Sequence, residues 1–176
     1  MSIFTLYPKV SYKIDEYDYL RAVDLTQSIK IKKFLKDYRG ISYQPYNVKD
    51  GERPDNVAYK FYGDSNLDWI VLLSNDIYNI YDEWPKSTTM FQNYLIEKYG
   101  SISTTLSTIK YYYDVDKNII DETAFGLLPP SQRSSETVYE YELRQNINKG
   151  RIKLVRQSLI GELQTELKSL LYKPVK

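Results

Sequence analysis

The stretch from Asp50 to Asn75 is punctuated so tightly that few local structures fit it. Asp50-Gly51 is a turn signal. Pro54 suits the first turn of a helix, where the N–H it lacks would have no partner anyway. Gly63 is a helix stop, because glycine takes the left-handed conformation that closes a helix without steric cost. Upstream, loose alternation from Tyr43 to Lys49 predicts a short strand. Downstream, Val57, Ala58, Phe61 and Tyr62 share one side of a helix over residues 55–62. Leu67, Ile70, Val71 and Ser74 do the same for a second helix over 67–75. The unit is strand, helix, helix within about 35 residues, which puts the chain in the α+β class.

The rest of the chain divides around this module, which is assigned residues 43–84. Residues 1–20 read as an extended N-terminal arm: Phe4, Tyr7, Tyr12, Tyr17 and Tyr19 recur without helical period, and Pro8 removes a backbone donor. Such an arm is either disordered or laid on a partner surface, where it gains more than on its own chain, so Phe4, Tyr7, Tyr12 and Tyr17 are candidate interface residues. Residues 21–42 predict a basic helix. Its apolar stripe is Ile31, Phe34, Leu35 and Tyr38, and Lys30, Lys32, Lys33, Lys36 and Arg39 cover the rest, either as a solvated face or as a dock for an acidic neighbour. Residues 85–135 hold a helix from Thr89 to Lys98 with Ser87 as its cap, then a hairpin, then a linker. The hairpin runs from Ile109 to Val115, turns at Asp116-Lys117-Asn118 and returns from Ile119; the linker is Gly126 to Ser135, around Pro129-Pro130. Residues 136–176 predict one long C-terminal helix, because Ile152, Val155, Leu159, Leu163, Leu167 and Leu170 advance by three or four. A stripe that long must be covered by something, which makes Ile152, Val155, Leu159, Leu163 and Leu167 candidate interface residues as well. Trp69 reads as core. Trp84 reads as a core or turn anchor, with an interface contact as the alternative.

Composition removes several kinds of chemistry. The 176 residues include no Cys and no His, so the chain lacks the thiolate nucleophile, the disulfide, the commonest general base and the commonest metal ligand. No cofactor or metal is expected. Asp68, Asp82 and Glu83 lie near aromatic residues, and a glycosidase needs only two carboxylates about 5 to 10 Å apart. A small module offers few deep clefts, however, and carboxylates on exposed helix positions serve solvation, so no enzyme activity is expected. Net charge is +1, but residues 50–84 hold eight acids and two bases while residues 142–176 hold eight bases and three acids. The two segments can attract each other within a chain or between copies. An acidic module beside the basic helix would repel phosphate, so nucleic acid is not an expected partner. Met1 to Val10 has no secretory pattern, and no apolar run approaches the roughly 18 residues of a membrane span. The expectation is a soluble protein made in a reducing cytoplasm. Tyrosine occurs 19 times, which suits interfaces but equally follows from A/T-rich coding.

The central segment reads Tyr46-Asn47-Val48-Lys49-Asp50-Gly51, Pro54, Val57-Ala58, Phe61-Tyr62-Gly63, Asn66-Leu67, Trp69-Ile70 and Leu72-Leu73-Ser74-Asn75. This resembles the LysM module: a strand ending in a glycine turn, a helix ending in Tyr-Gly, a second helix and an asparagine. The wider frame adds the preceding basic helix, Arg53-Pro54, Asp76, Tyr78, Trp84 and a C-terminal helix with Glu142-Leu143-Arg144-Gln145. In that order it resembles the LysM-containing baseplate wedge subunit of contractile-tailed, T-even-like phages, closely over residues 21–90 and loosely over 137–172. The resemblance implies a virion protein, synthesised in the host cytoplasm, that joins neighbouring wedge subunits and the central hub by protein–protein contacts and has no catalytic role. Two loops depart from glycan-binding LysM modules. Gly51-Glu52-Arg53-Pro54 stands where those usually carry Gly-Asp-Thr, and Asn75-Asp76 stands where they often have Asn-Pro. No second strand is evident after Ile77. The module is therefore expected to be a scaffold; the alternative is a peptidoglycan- or chitin-binding LysM module.

Overall fold

The computed structural model describes residues 3–15, 18–25 and 43–172. Tyr17 and the expected basic helix from residue 26 onward lie outside those residues. After a short 3-10 turn at Ile3–Thr5, the chain forms strands β1 (Lys9–Lys13), β2 (Tyr19–Val23) and β3 (Tyr43–Asn47). Helix α1 (Pro54–Tyr62), a 3-10 turn, helix α2 (Asp68–Ser74) and the single turn α3 (Ile80–Glu83) follow. Next come α4 (Thr88–Tyr99), α5 (Ile102–Ser107), β4 (Ile109–Asp114), β5 (Ile119–Ile120), α6 (Glu122–Leu127), β6 (Arg133–Thr137) and α7 (Val138–Lys149). The chain ends with β7 (Arg151–Val155) and α8 (Ile160–Tyr172). The mixture of helix and strand is α+β.

Two compact units result, and the sequence crosses between them. The first is Met1–Val48, Glu52–Glu83 and Arg151–Lys176; the second is Lys49–Gly51 and Trp84–Gly150. At the heart of the first unit is a βααβ frame. β3 pairs antiparallel with β7, from Tyr43 opposite Val155 to Asn47 opposite Arg151. α1 begins at Pro54 and is closed by Gly63, whose φ of 77° is the left-handed conformation and whose N–H donates to the Tyr59 carbonyl at 2.9 Å. α2 packs on β7. Val57, Ala58, Ile70, Val71, Leu154 and Val155 are fully buried, with Trp69 and Ile152 almost so. Each of the buried valines, leucines and isoleucines contributes on the order of 1.5 to 3 kcal/mol relative to exposure, so apolar burial holds the frame and its polar contacts set the register.

The second unit has a three-stranded antiparallel sheet in the order β5-β4-β6, with four helices. α4 starts at the Ser87 cap and stops at Gly100, where φ is 84°. α7 starts at Thr137 with a reciprocal capping box: the Thr137 hydroxyl takes the Glu140 N–H, and the Glu140 carboxylate takes the Thr137 N–H. Glu142 of α7 is buried and receives three hydrogen bonds from α4: Tyr94 at 3.2 Å, Lys98 at 2.9 Å and Tyr99 at 2.5 Å. Burial alone would raise the Glu142 carboxyl, but the bonds from Lys98 and Tyr99 outweigh it and hold it below the usual carboxylate range. The same carboxylate raises the Lys98 ammonium.

Three sequence expectations need correction. The single C-terminal helix is instead helix α7, strand β7 and helix α8. Ile152 and Val155 fit a helical stripe by spacing, yet Arg151-Ile152-Lys153-Leu154 also alternates polar and apolar, and β3 needs a ladder partner for its backbone groups. The expected arm is a hairpin: β1 and β2 pair from Lys9 opposite Val23 to Lys13 opposite Tyr19. Tyrosines at both odd and even positions obscure the two-residue alternation of Val10, Tyr12 and Ile14. The expected linker contains β6, whose Arg-Ser-Ser-Glu-Thr sequence has no apolar signal and is recruited by pairing with β4.

Candidate functional site

The loops of the βααβ frame are tied to the frame itself, one to its backbone and one to its side chains. Asn75 follows α2 and clasps the middle residue of β7. Its Oδ1 accepts the Lys153 N–H at 2.8 Å, and its Nδ2 donates to the Lys153 carbonyl at 2.8 Å and the Val71 carbonyl at 2.7 Å. Both amide protons are thereby used. Because both backbone groups of Lys153 turn toward Asn75, its partner across the ladder loses nothing by being Pro45, which has no N–H to offer. In the loop after β3, the Glu52 carboxylate receives the Tyr46 hydroxyl at 2.9 Å and an ion pair from Lys60 of α1. Burial, then the bond to Glu52, pushes the Tyr46 phenol up to about 12.

Beside Asn75 lies an open concavity of about 370 Å³. Tyr43, Pro45, Asp76, Arg151, Ile152 and Lys153 complete its lining. The Lys153 ammonium sits 4.9 Å from the centre of the Tyr43 ring, and burial followed by the Asp76 charge raises the Tyr43 phenol. The concavity offers charges of both signs and one aromatic face, and Asn75 is already committed within it. Among the described residues, no group of three or more His, Cys, Asp or Glu is arranged to hold a metal.

The candidate interface residues divide sharply. Phe4 and Tyr12 are exposed. Tyr7, Trp84, Ile152, Val155, Leu163 and Leu167 are buried in the chain itself, and Leu159 is half-buried. Helical spacing detects apolar residues that need cover but not whether the cover comes from the same chain. Sequence reasoning missed the exposed apolar side chains Val10, Ile14, Tyr19 and Leu20 of the hairpin, and Tyr59, Tyr78 and Tyr81 elsewhere in the first unit. The every-second-residue pattern Val10, Tyr12, Ile14 is the signal that was available for the hairpin.

A family model described as base plate wedge protein 53 matches residues 2–122, more than half of the chain. The chain belongs to the base plate wedge protein 53 family. A curated relative is the baseplate wedge protein gp53 of Enterobacteria phage T4, 30% identical over 69 residues. That match covers 39% of this chain and 35% of the relative, so the chain spans about a third of the length of the curated relative it matches. Membership of the base plate wedge protein 53 family makes this a structural protein of the phage virion, located in the tail baseplate. The matched region carries the β1–β2 hairpin, β3, α1 and α2, and ends before β7. No helix among the described residues is long and apolar enough to cross a membrane.

Proposed function

We propose that this wedge protein joins neighbouring wedge subunits to one another and to the central hub by protein–protein contacts, with the βααβ frame as a LysM-like scaffold and no catalytic role. The observation that carries this reading is the internal use of the two loops that depart from glycan-binding LysM modules. Glu52 is spent on Tyr46 and Lys60, and Asn75 is spent on Lys153 and Val71. Polar groups committed to partners within the chain are not available to hydroxyls of a sugar. The frame also provides a second strand, which the sequence lacks after Ile77, by recruiting β7.

The test has two arms. Purified chain is offered peptidoglycan and chitin fragments in a pull-down, and separately the other wedge and hub proteins of its phage in a co-sedimentation assay. Retention with the proteins and none with the glycans is expected. Saturable glycan binding that disappears in Glu52→Ala and Asn75→Ala variants would establish the alternative, a glycan-binding LysM module.

A further inference from the structure

The margins of two sheets are treated differently. In the first unit both margins of the β3–β7 ladder are stopped. Pro45 puts a residue without an N–H on the outer side of β3, and Asn75 occupies both outward groups of Lys153 on β7. In the second unit β6 is an outer strand, in the order β5-β4-β6. Its sequence, Arg133-Ser134-Ser135-Glu136-Thr137, has neither the proline nor the lysine that commonly guards an edge, and its two serines are small enough for a neighbour to approach. The direction of its backbone groups follows from the turn beside it. Asp114 donates its N–H to the Asn118 carbonyl at 3.1 Å and accepts the Lys117 N–H at 3.2 Å, so both of its groups face β5. Successive residues of an antiparallel strand alternate sides, so Tyr111 and Tyr113 face β6 and exchange bonds with Glu136 and Ser134. Arg133 and Ser135, opposite Asp114 and Tyr112, therefore turn their N–H and C=O groups outward. These four groups have no partner among the described residues, and Ser135 is exposed. The Thr137 N–H is already taken by Glu140.

We propose that this margin receives an extended segment of a neighbouring wedge protein, added as a fourth strand alongside β6. The contact rests on the joining role proposed above and gives it a surface. Backbone donors and acceptors set in the plane of a sheet are matched by another extended backbone, so the edge itself states what it takes. A second copy's β6 fits it poorly. Pairing Arg133 with Ser135 of another copy brings the two Arg133 side chains onto one face as diagonal neighbours, within reach of each other. Pairing Ser135 with its counterpart does the same to the two Glu136 side chains and sets Arg133 against the spent Thr137. The incoming strand therefore comes from a different protein, and the residue it places beside Arg133 is acidic or uncharged.

Residue-resolved hydrogen exchange tests this on the full chain, alone and in complex with the other wedge proteins of its phage. Alone, the Ser134 and Glu136 amides exchange slowly and those of Arg133 and Ser135 fast. In the complex the latter two are expected to slow about tenfold or more. Ser135→Pro removes an N–H that the ladder does not use, so melting temperature holds while affinity for the wedge proteins falls about tenfold or more. Ser135→Ala, which keeps the N–H, binds like wild type. A Ser135→Pro chain that binds as tightly as wild type overturns the proposal; if that variant does not fold, the exchange arm decides. A complex in which Ser135 still exchanges fast overturns the added strand and leaves the joining role standing. A chain that enters no complex overturns both. Slowing at Ser135 in the purified chain that grows with its concentration gives the edge to a second copy, and overturns its assignment to another protein.

Discussion

Asn75 and Asn146 perform the same task in different units. Each side-chain amide engages both backbone groups of one distant lysine: Asn75 those of Lys153, and Asn146 those of Lys86, at 2.7 Å from the N–H and 2.9 Å to the carbonyl. An amide is the one side chain that can donate and accept in the plane of a peptide group, so neither position tolerates a carboxylate. Asn75→Ala is expected to cost about 1 to 3 kcal/mol in urea unfolding, and Asn75→Asp more, since a second acceptor would then face two carbonyls. The Glu142 cluster makes a pH prediction. The lowered Glu142 pKa stabilises the fold above the ordinary glutamate value and is lost as pH falls through its own, lower value. The raised Lys98 pKa stabilises below the ordinary lysine value and is lost as pH rises toward its own, higher value. Melting temperature should therefore be level between those limits and fall outside them. Glu142→Gln should lower the plateau and flatten the acid limb, as thermal scans from about pH 3 to 10 would reveal.

At the scale of elements, α8 separates two leucines that the sequence treats alike. Leu163 is 1% exposed, whereas Leu159 sits half-buried in the turn before the helix. Leu163→Asp places an uncompensated charge in the core and should cost about 3 to 5 kcal/mol; Leu159→Asp should cost under half of that, measured by chemical denaturation. Elements bounded by local punctuation were legible in advance. Pro54 and Gly63 delimit α1, Ser87 and Gly100 delimit α4, and the turn at Asp116-Lys117-Asn118 joins β4 to β5. What was not legible depends on remote partners. β7 is a strand because β3 lies alongside it, and β6 is a strand because β4 does. The candidate site shows the same limit. Phe4 and Tyr12 are on the surface, whereas Tyr7 and Leu167 find their cover within the chain, which no one-dimensional pattern records.

The whole molecule is two units threaded through each other's sequence. The frame opens with β3, leaves for the second unit after α3 and closes only when β7 arrives. A chain ending at Gly150 should therefore lose the frame, since Ile152, Leu154, Val155, Ile160, Leu163, Leu167 and Leu171 are all core residues beyond that point. The second unit keeps every residue it is built from. Hydrogen exchange on that truncated chain is expected to show protected amides in α4 and α7 and fast exchange in α1 and α2. Threading of this kind also imposes a timetable on biosynthesis. Asn75 must wait for a partner 78 residues further along, which at about 5 to 20 residues per second is roughly 4 to 16 s of translation. During that interval the helices of the frame emerge from the ribosome with their apolar faces uncovered, while the second unit is completed first. The nascent frame is thus the species on which a chaperone would act, and the last strand to be synthesised is the one that ends its exposure.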